Sequence, residues 1–395
     1  MYYNHLEIAG GNFSLITQNN KKWIKWAILS ASFIIIVSAV IIPVVYIKFS
    51  NKSIELTFSK HTLIGPAYAT SISYTDLDLD GDIDLLGTSA PDNLFCWWEN
   101  SGDGSFSYQI ISTAYDRACR LEAADLDEDG DIDLVAGTLD ENEIIVFKND
   151  GTQTFTPSIV TDTFNITIGI NLADINGDNF VDIVACAHGD NKISWFENMH
   201  NFTFIERIVT TDLGEAILSY PIDFDGDGDI DLVSVGINPG EICWFKNDGT
   251  ENFTKMTVFS SYWVHGVYPS DIDSDGDIDI AGCTLDGSGS VYWFEALGNN
   301  QYTQHNLTTN FVGTNYVNCA DIDLDGDIDI LSSAADSEQL VYWENMGENI
   351  FIKHIIASGF PGIEIFLVDL DGDADMDVIS TSHHPAEYAW FENTS

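Results

Sequence analysis

An acidic nonapeptide returns seven times along this 395-residue chain, starting at Asp76, Asp125, Asp174, Asp223, Asp271, Asp321 and Asp369, with spacings of 49, 49, 49, 48, 50 and 48 residues. A fixed period of this size restricts the fold to a solenoid, a propeller or an array, because so short a unit buries its apolar face only against neighbouring copies. A second signal follows each first Asp at 24 residues, or 25 in the fifth copy: WWEN ending at Asn100, VFKN at Asn149, WFEN at Asn198, WFKN at Asn247, WFEA at Ala296, YWEN at Asn345 and WFEN at Asn393. Six residues further comes an aromatic, at Phe106, Phe155, Phe204, Phe253, Tyr302 and Phe351.

Between these marks, short β-branched and aromatic runs such as Ile132 to Gly137 and Phe155 to Val160 alternate with Gly, Asn, Asp and Ser clusters, the pattern of strands rather than helices. Asn149-Asp150-Gly151 and Asn247-Asp248-Gly249 carry the chemistry of hairpin turns. Each unit is therefore expected to form four antiparallel strands: A before the acidic loop, B after it, C ending in the Trp-Phe-Glu-Asn run and D starting at the aromatic. The expected fold class is all-β, a seven-bladed β-propeller of four-stranded antiparallel blades. The seventh unit ends at Asn393 without a strand D, while an orphan strand from Leu56 to Ile64 places Phe58 18 residues before Asp76, matching the spacing in the other units. The N-terminal strand should complete the last blade and so remove an open edge.

Five carboxylates in nine residues repel one another unless a hard cation with six to eight oxygen ligands gathers them, and calcium suits that crowding. Side chains at positions 1, 3, 5 and 9, with the carbonyl of position 7, are the candidate ligands. In the first copy these are Asp76, Asp78, Asp80, Asp84 and the carbonyl of Asp82; in the second, Asp125, Asp127, Asp129, Asp133 and Asp131. The third offers Asp174, Asn176, Asp178, Asp182 and Phe180; the fourth, Asp223, Asp225, Asp227, Asp231 and Asp229. The fifth offers Asp271, Asp273, Asp275, Asp279 and Asp277; the sixth, Asp321, Asp323, Asp325, Asp329 and Asp327; the seventh, Asp369, Asp371, Asp373, Asp377 and Asp375. Glycine at position 6 suits a left-handed turn, Asn179 tolerates it, and Ala374 fits it less well. The competing readings are a solvated acidic turn without metal and a halophile's acidic surface; the latter would spread its carboxylates, whereas the motif positions hold 33 of the chain's 63 acids.

The Asp-x-Asp/Asn-x-Asp-Gly-x-x-Asp loop between strands, with the Trp-Phe-Glu-Asn and Asn-Asp-Gly-x-x-Phe marks, resembles the FG-GAP/VCBS repeat family, which includes the seven-bladed propeller of integrin α chains and some fungal lectins. The resemblance spans about Leu56 to Asn393. It implies up to seven Ca2+ ions in the acidic loops, and adhesion or ligand binding rather than catalysis.

With a formal charge of −49, the bare chain is a poor partner for nucleic acid. Six scattered cysteines with no Cys-x-x-Cys pair argue against a disulfide framework or a zinc site, and the repeat-equivalent pairs Cys96 with Cys243 and Cys186 with Cys283 lie in non-neighbouring blades. No Ser-His-Asp arrangement, phosphate loop or metalloprotease signature is readable; His188, His265, His383 and His384 could share one face.

From Trp26 to Ile47 runs an uncharged stretch of 22 residues, flanked by Lys21, Lys22 and Lys25 and by Lys48 and Lys52. At ~1.5 Å per residue it spans a hydrocarbon core. A cleaved signal peptide is the alternative. The domain map is thus a cytoplasmic tail (1–25), a transmembrane signal anchor (26–47), a linker (48–55) and the propeller (56–395). Calcium loops fill poorly at cytosolic ion levels, and sequons occur at Asn165, Asn201, Asn252, Asn306 and Asn393, so the expected protein is single-pass, type II and extracellular, with glycans.

Loops joining strand D to the next strand A carry Tyr68, Tyr115, Phe164, Tyr262, Trp263, Phe311 and Phe360, on the face opposite the acidic loops. Blade packing and a ligand-facing aromatic ring are both open readings. The candidate ligand residues are Tyr115, Arg117, Arg120, Trp263 and Phe311, for an extracellular protein or glycan ligand, with a local ion pair the competing reading for Arg117 and Arg120; a carbohydrate lyase and a purely structural surface protein are the alternatives. The aromatics of strand C should pack within the blades, one large ring from each.

Overall fold

The computed structural model describes residues 56–287 and 289–395, with the backbone of a two-residue pairing between Ile8–Ala9 and Asn12–Phe13. The Trp26 to Ile47 stretch expected to cross a membrane lies outside the described residues, as do most of the tail and linker. Among the described residues no helix is long and apolar enough to span a bilayer.

Residues Ile54–Ser395 form one compact unit of seven four-stranded antiparallel sheets. In the first blade Ser71–Thr75, Asp84–Ser89, Leu94–Asn100 and Phe106–Ser112 are strands A to D, adjacent in that order, and the next five blades repeat the arrangement. Each strand A touches strand A of the following blade, and Gly362–Val368 of the seventh touches Ser71–Thr75 of the first. The A strands therefore line the axis of a closed ring.

Closure takes the expected route. Phe58–Thr62 pairs antiparallel with Ala386–Asn393, in a register from Phe58 opposite Asn393 to Thr62 opposite Ala389. Thr394 N–H donates to the Thr57 carbonyl at 2.8 Å and Leu63 N–H to that of Tyr388 at 2.9 Å. Lys60 pairs with Glu387 and His61 with Glu392, both at 2.7 Å, and the His61 ring stacks on Trp390 at 4.4 Å.

Burial departs from the expectation of one large ring per strand C. Both aromatics are buried in six of the seven: Trp97 with Trp98, Trp195 with Phe196, Trp244 with Phe245, Trp293 with Phe294, Tyr342 with Trp343, and Trp390 with Phe391. Successive side chains point to opposite faces of a sheet, and each blade in a ring is covered on both faces by its neighbours. Strand B is buried along its whole length in the first six blades for the same reason. In the first six blades the C–D pairing shifts register at a repeat-equivalent point, from Phe95/Cys96 to Leu340/Val341. Bulges of this kind increase the local twist of a sheet, and no residue type marks them in advance. All six cysteines are free and buried.

Deleting Leu56 to Ile64 should expose the edge of strand Ala386–Asn393 and convert a monomeric ring into an aggregating one with a lowered melting temperature. Size-exclusion chromatography with thermal melting checks this, and an unchanged monomer would contradict the closure.

Candidate functional site

The seven acidic loops share one construction, centred on the ninth residue. Asp84, Asp133, Asp182, Asp231, Asp279, Asp329 and Asp377 open strand B and have no solvent-exposed surface. One carboxylate oxygen accepts the N–H of position 2 at 3.0–3.3 Å. The other accepts the N–H that ends the Trp-Phe-Glu-Asn run, at 2.6–2.9 Å. Burial pushes these carboxyls up against the pull of the two donors, to about 6 for Asp133 and Asp231, about 7 for Asp84, Asp182, Asp279 and Asp377, and about 8 for Asp329. A nearby cation would offset that cost of charge.

The rest of the loop wraps around its own backbone. Position 1 accepts the N–H of position 6 at 2.7–3.2 Å, and position 5 accepts that of position 7 at 2.9–3.1 Å. Position 6 is left-handed throughout, including Asn179 (φ 73°) and Ala374 (φ 75°). Position 4 is left-handed too, and here the residues Leu79, Glu128, Ser274 and Leu324 give no warning of it. The side chain of position 7 turns to the C–D hairpin, where a Cβ on Gly102 would lie 2.4 Å from Asp82 Oδ2 and one on Gly151 2.7 Å from Asp131 Oδ2.

Several carboxylate oxygens in these loops are buried without a donor: Oδ1 of Asp76, Asp125 and Asp223 at position 1, and Oδ1 of Asp127 and Asp375. Oxygens of Asp76, Asp78 and Asp84 lie within 4.8 Å of one another, as do those of Asp125, Asp127 and Asp133, of Asp271, Asp273 and Asp279, of Asp223, Asp225 and Asp227, and of Asp321, Asp323 and Asp325. Converging, underbonded oxygens fit a hard divalent cation.

In three blades the Asn that ends strand C binds blade to blade. Asn100, Asn198 and Asn345 donate through Nδ2 to the carbonyls of Leu370, Leu126 and Ile272 in the preceding blade, at 2.7, 2.8 and 2.9 Å. Ala296 cannot make this bond, and beside it between blades four and five opens a cleft of about 160 Å3 lined by Phe224, Asp225, Trp244, Asp277, Gln301 and Tyr302.

On the opposite face, the candidate ligand residues separate. Phe311 is buried in the core beneath Lys353, whose Nζ is 4.2 Å from the ring centroid, and Phe164, Leu213 and Phe360 are buried in the same stretch of their own D–A loops. Tyr115 packs edge-on to Phe147 at 5.8 Å. These loops are pinned: the Phe311 N–H donates to the Gly289 carbonyl at 2.9 Å, and the carbonyls of Arg117, Ile166, Glu215, Trp263 and Gly313 accept N–H groups from the following B–C turns. Phe164, Leu213, Phe311 and Phe360 are thus wedges between blades, which corrects the ligand-facing reading for Phe311, while Tyr115 is half-buried, one part of its ring packed on Phe95 and Phe147. Trp263, 41% exposed, and Tyr262, 74% exposed, stay in solvent with ring centroids 5.9 Å apart. Arg117 is half exposed, 3.7 Å from Asp140.

Arg120 is also corrected. It is buried at the axis, where Nη1 contacts Glu364 and lies 2.9 Å from Ser71 Oγ, while Nε is 3.5 Å from Glu122. Glu364 accepts the Ile72 N–H at 2.8 Å, so this pair ties blades one, two and seven. The axis is filled further by Tyr220 against Tyr268 at 5.2 Å and Tyr316 against Phe366 at 5.3 Å. His265 is half-buried with Nδ1 2.9 Å from the Asn315 carbonyl oxygen, and His188 is 3.9 Å from Glu215. Among the sequons, Asn201, Asn252 and Asn306 are exposed, whereas Asn393 is buried and closed to a glycan.

Three single substitutions and one double variant check this assignment by thermal melting. Ala374→Gly should stabilise by about 1 kcal/mol and Gly326→Ala destabilise by a similar amount, since the turn is left-handed and open space surrounds Gly326. Arg120→Met should cost about 3–5 kcal/mol by stranding Glu364, with much of that recovered in Arg120→Met/Glu364→Met.

Comparison with known proteins agrees with this geometry. A family model described as FG-GAP-like repeat matches six overlapping stretches, residues 76–136, 125–185, 174–234, 223–282, 271–332 and 321–380. No curated protein matches. Among solved structures, an Agrocybe aegerita lectin recognising non-reducing terminal N-acetylglucosamine is similar with a TM-score of 0.54 and 19% identity, over 73% of this chain and 80% of that one. BBS1N, solved in complex with ARL6DN, is similar with a TM-score of 0.60 and 10% identity, over 86% and 98%. At such identities the likeness is one of fold, and it is the repeats, matched from residue 76 to residue 380, by which the chain belongs to the FG-GAP-like repeat family.

Proposed function

We propose that this chain is a membrane-anchored, calcium-stabilised propeller that presents a recognition surface outside the cell to a protein or glycan ligand. The observation that carries the calcium part is the recurrence of buried position-1 oxygens without a donor, beside clustered carboxylates. Side chains of positions 1, 3 and 5 would hold the ion, with position 9 and the position-7 carbonyl completing the shell. Bound calcium supplies charge neutralisation and fixes the loop. At about 1 mM ion and site constants of about 10⁻⁴ to 10⁻³ M, each site stabilises by roughly 0.4–1.4 kcal/mol, and seven together by on the order of 3–10.

Recognition is read from the opposite face, where Tyr262 and Trp263 are exposed on a loop hydrogen-bonded to the neighbouring turn. Exposed aromatics held on a rigid scaffold suit a sugar ring or a projecting peptide. The anchor is the uncharged Trp26 to Ile47 run, and the outward orientation follows from calcium supply. The lectin's fold makes a glycan a reasonable ligand class, and adhesion the corresponding role. A second reading places the ligand in the cleft beside Ala296, which joins Trp244 to the carboxylates of Asp225 and Asp277.

Chelation should lower the melting temperature of the full-length chain, and calcium should restore it; an unchanged melt would remove the calcium reading. A glycan array and purified extracellular proteins, tested in calcium, identify the ligand. Trp263→Ala should then weaken binding by about 1–3 kcal/mol without changing the melt. If Ala296→Asn abolishes binding instead, the cleft is the site. Polysaccharide turnover would favour the lyase alternative, and absence of any ligand the purely structural one.

A further inference from the structure

Two of the seven loops carry their own cation. Lys148 Nζ contacts Asp127 and lies 3.0 Å from Asp129 Oδ2; Lys246 Nζ contacts Asp225 and lies 2.8 Å from Asp227 Oδ2. Both lysines occupy the strand C position just before the terminal Asn, and both bind the carboxylates of positions 3 and 5, so the arrangement repeats in blades two and four.

The other five blades have glutamate at this position: Glu99, Glu197, Glu295, Glu344 and Glu392. Four of these turn to a basic partner on the neighbouring strand D: Glu197 to Arg207 at 2.6 Å, Glu295 to His305 at 2.7 Å, Glu344 to His354 at 2.6 Å and Glu392 to His61 at 2.7 Å. In blades two and four the residues equivalent to those partners are Ser158 and Met256, which offer no charge. The strand C residue is therefore a cation directed at the loop in two blades and an anion, engaged sideways in four of its five occurrences, in the rest.

Resting on the calcium reading above, we propose that Lys148 and Lys246 divide the loops into two classes. In blades two and four the tethered ammonium offsets one of the two charges at positions 3 and 5 and bridges them, so these loops keep their form without calcium and admit the ion only by displacing the lysine. The glutamate blades have no internal substitute and depend on calcium. The ring thus fills in stages as calcium rises, with blades two and four last.

The test is calcium binding by the full-length chain, measured by isothermal titration and by ion counting in native mass spectrometry. Lys148→Met/Lys246→Met should bind two more ions at a calcium level where wild type leaves these loops lysine-bound, with affinity there raised about tenfold or more. It should also lose more melting temperature than wild type in chelator. The reverse variant Glu99→Lys should remove one tight ion and keeps the proposal testable if the double Met variant folds poorly. Equal ion counts and constants in wild type and all variants would overturn the proposal while leaving calcium binding intact. A wild type that binds no calcium and melts alike with and without chelator overturns both.

Discussion

A buried carboxylate that has surrendered both oxygens to backbone donors is the joint on which this molecule turns. The ninth residue of each loop receives one N–H from the start of the loop and one from the end of strand C, so the A–B connection is bound to the third strand of its own sheet. In blades one, three and six the terminal Asn carries this order outward: Nδ2 of Asn100, for one, donates to the Ile83 carbonyl at 2.9 Å and reaches Leu370 in the neighbouring blade. A charge held in so dry a place is costly unless bonded and compensated. The same residue thus couples the folding of the loop to the stacking of the blades.

Compensation takes different forms around the ring. In the first loop the buried Oδ1 of Asp76 lacks a donor and, among the described residues, no lysine is at hand, whereas in blades two and four, where Oδ1 of Asp125 and Asp223 lacks one too, Lys148 and Lys246 bring an ammonium to the outer carboxylates. At the axis, the charge of Glu364 is met by Arg120 and by the Ile72 N–H, which fastens the last blade to the first two where the ring must close. Closure is reinforced at the rim by Phe58–Thr62, so the seam is held at both its inner and outer edges.

The two faces of the disc consequently differ in what they can do. One face is committed to acidic loops and their hairpins. The other is bound together by D–A loops wedged between blades, and only selected side chains rise out of it, Tyr262, Trp263 and Arg117 among them. A recognition surface there would be local, set by one or two loops on a rigid ring, and need not follow the sevenfold pattern.

The sequence by itself determined the architecture. Strand order, seven blades, completion of the last blade by Phe58 and the place of each acidic loop between strands A and B all follow from signals within about 50 residues of one another, or from one missing strand that one orphan strand could supply. It also marked the left-handed sixth position, because glycine is a local conformational requirement. Only the tertiary structure decided which aromatics are wedges and which are exposed: Phe311 and Trp263 look alike in sequence, and burial depends on the blade that covers them. Only it showed that Arg120 is spent on Glu364, 244 residues away, since charge pairing follows distance in space. And only it showed the head groups of Lys148 and Lys246 reaching the acidic loops, because where a long side chain ends is decided by the charges near it in space, and strand D offers none opposite them, at Thr156 and Thr254.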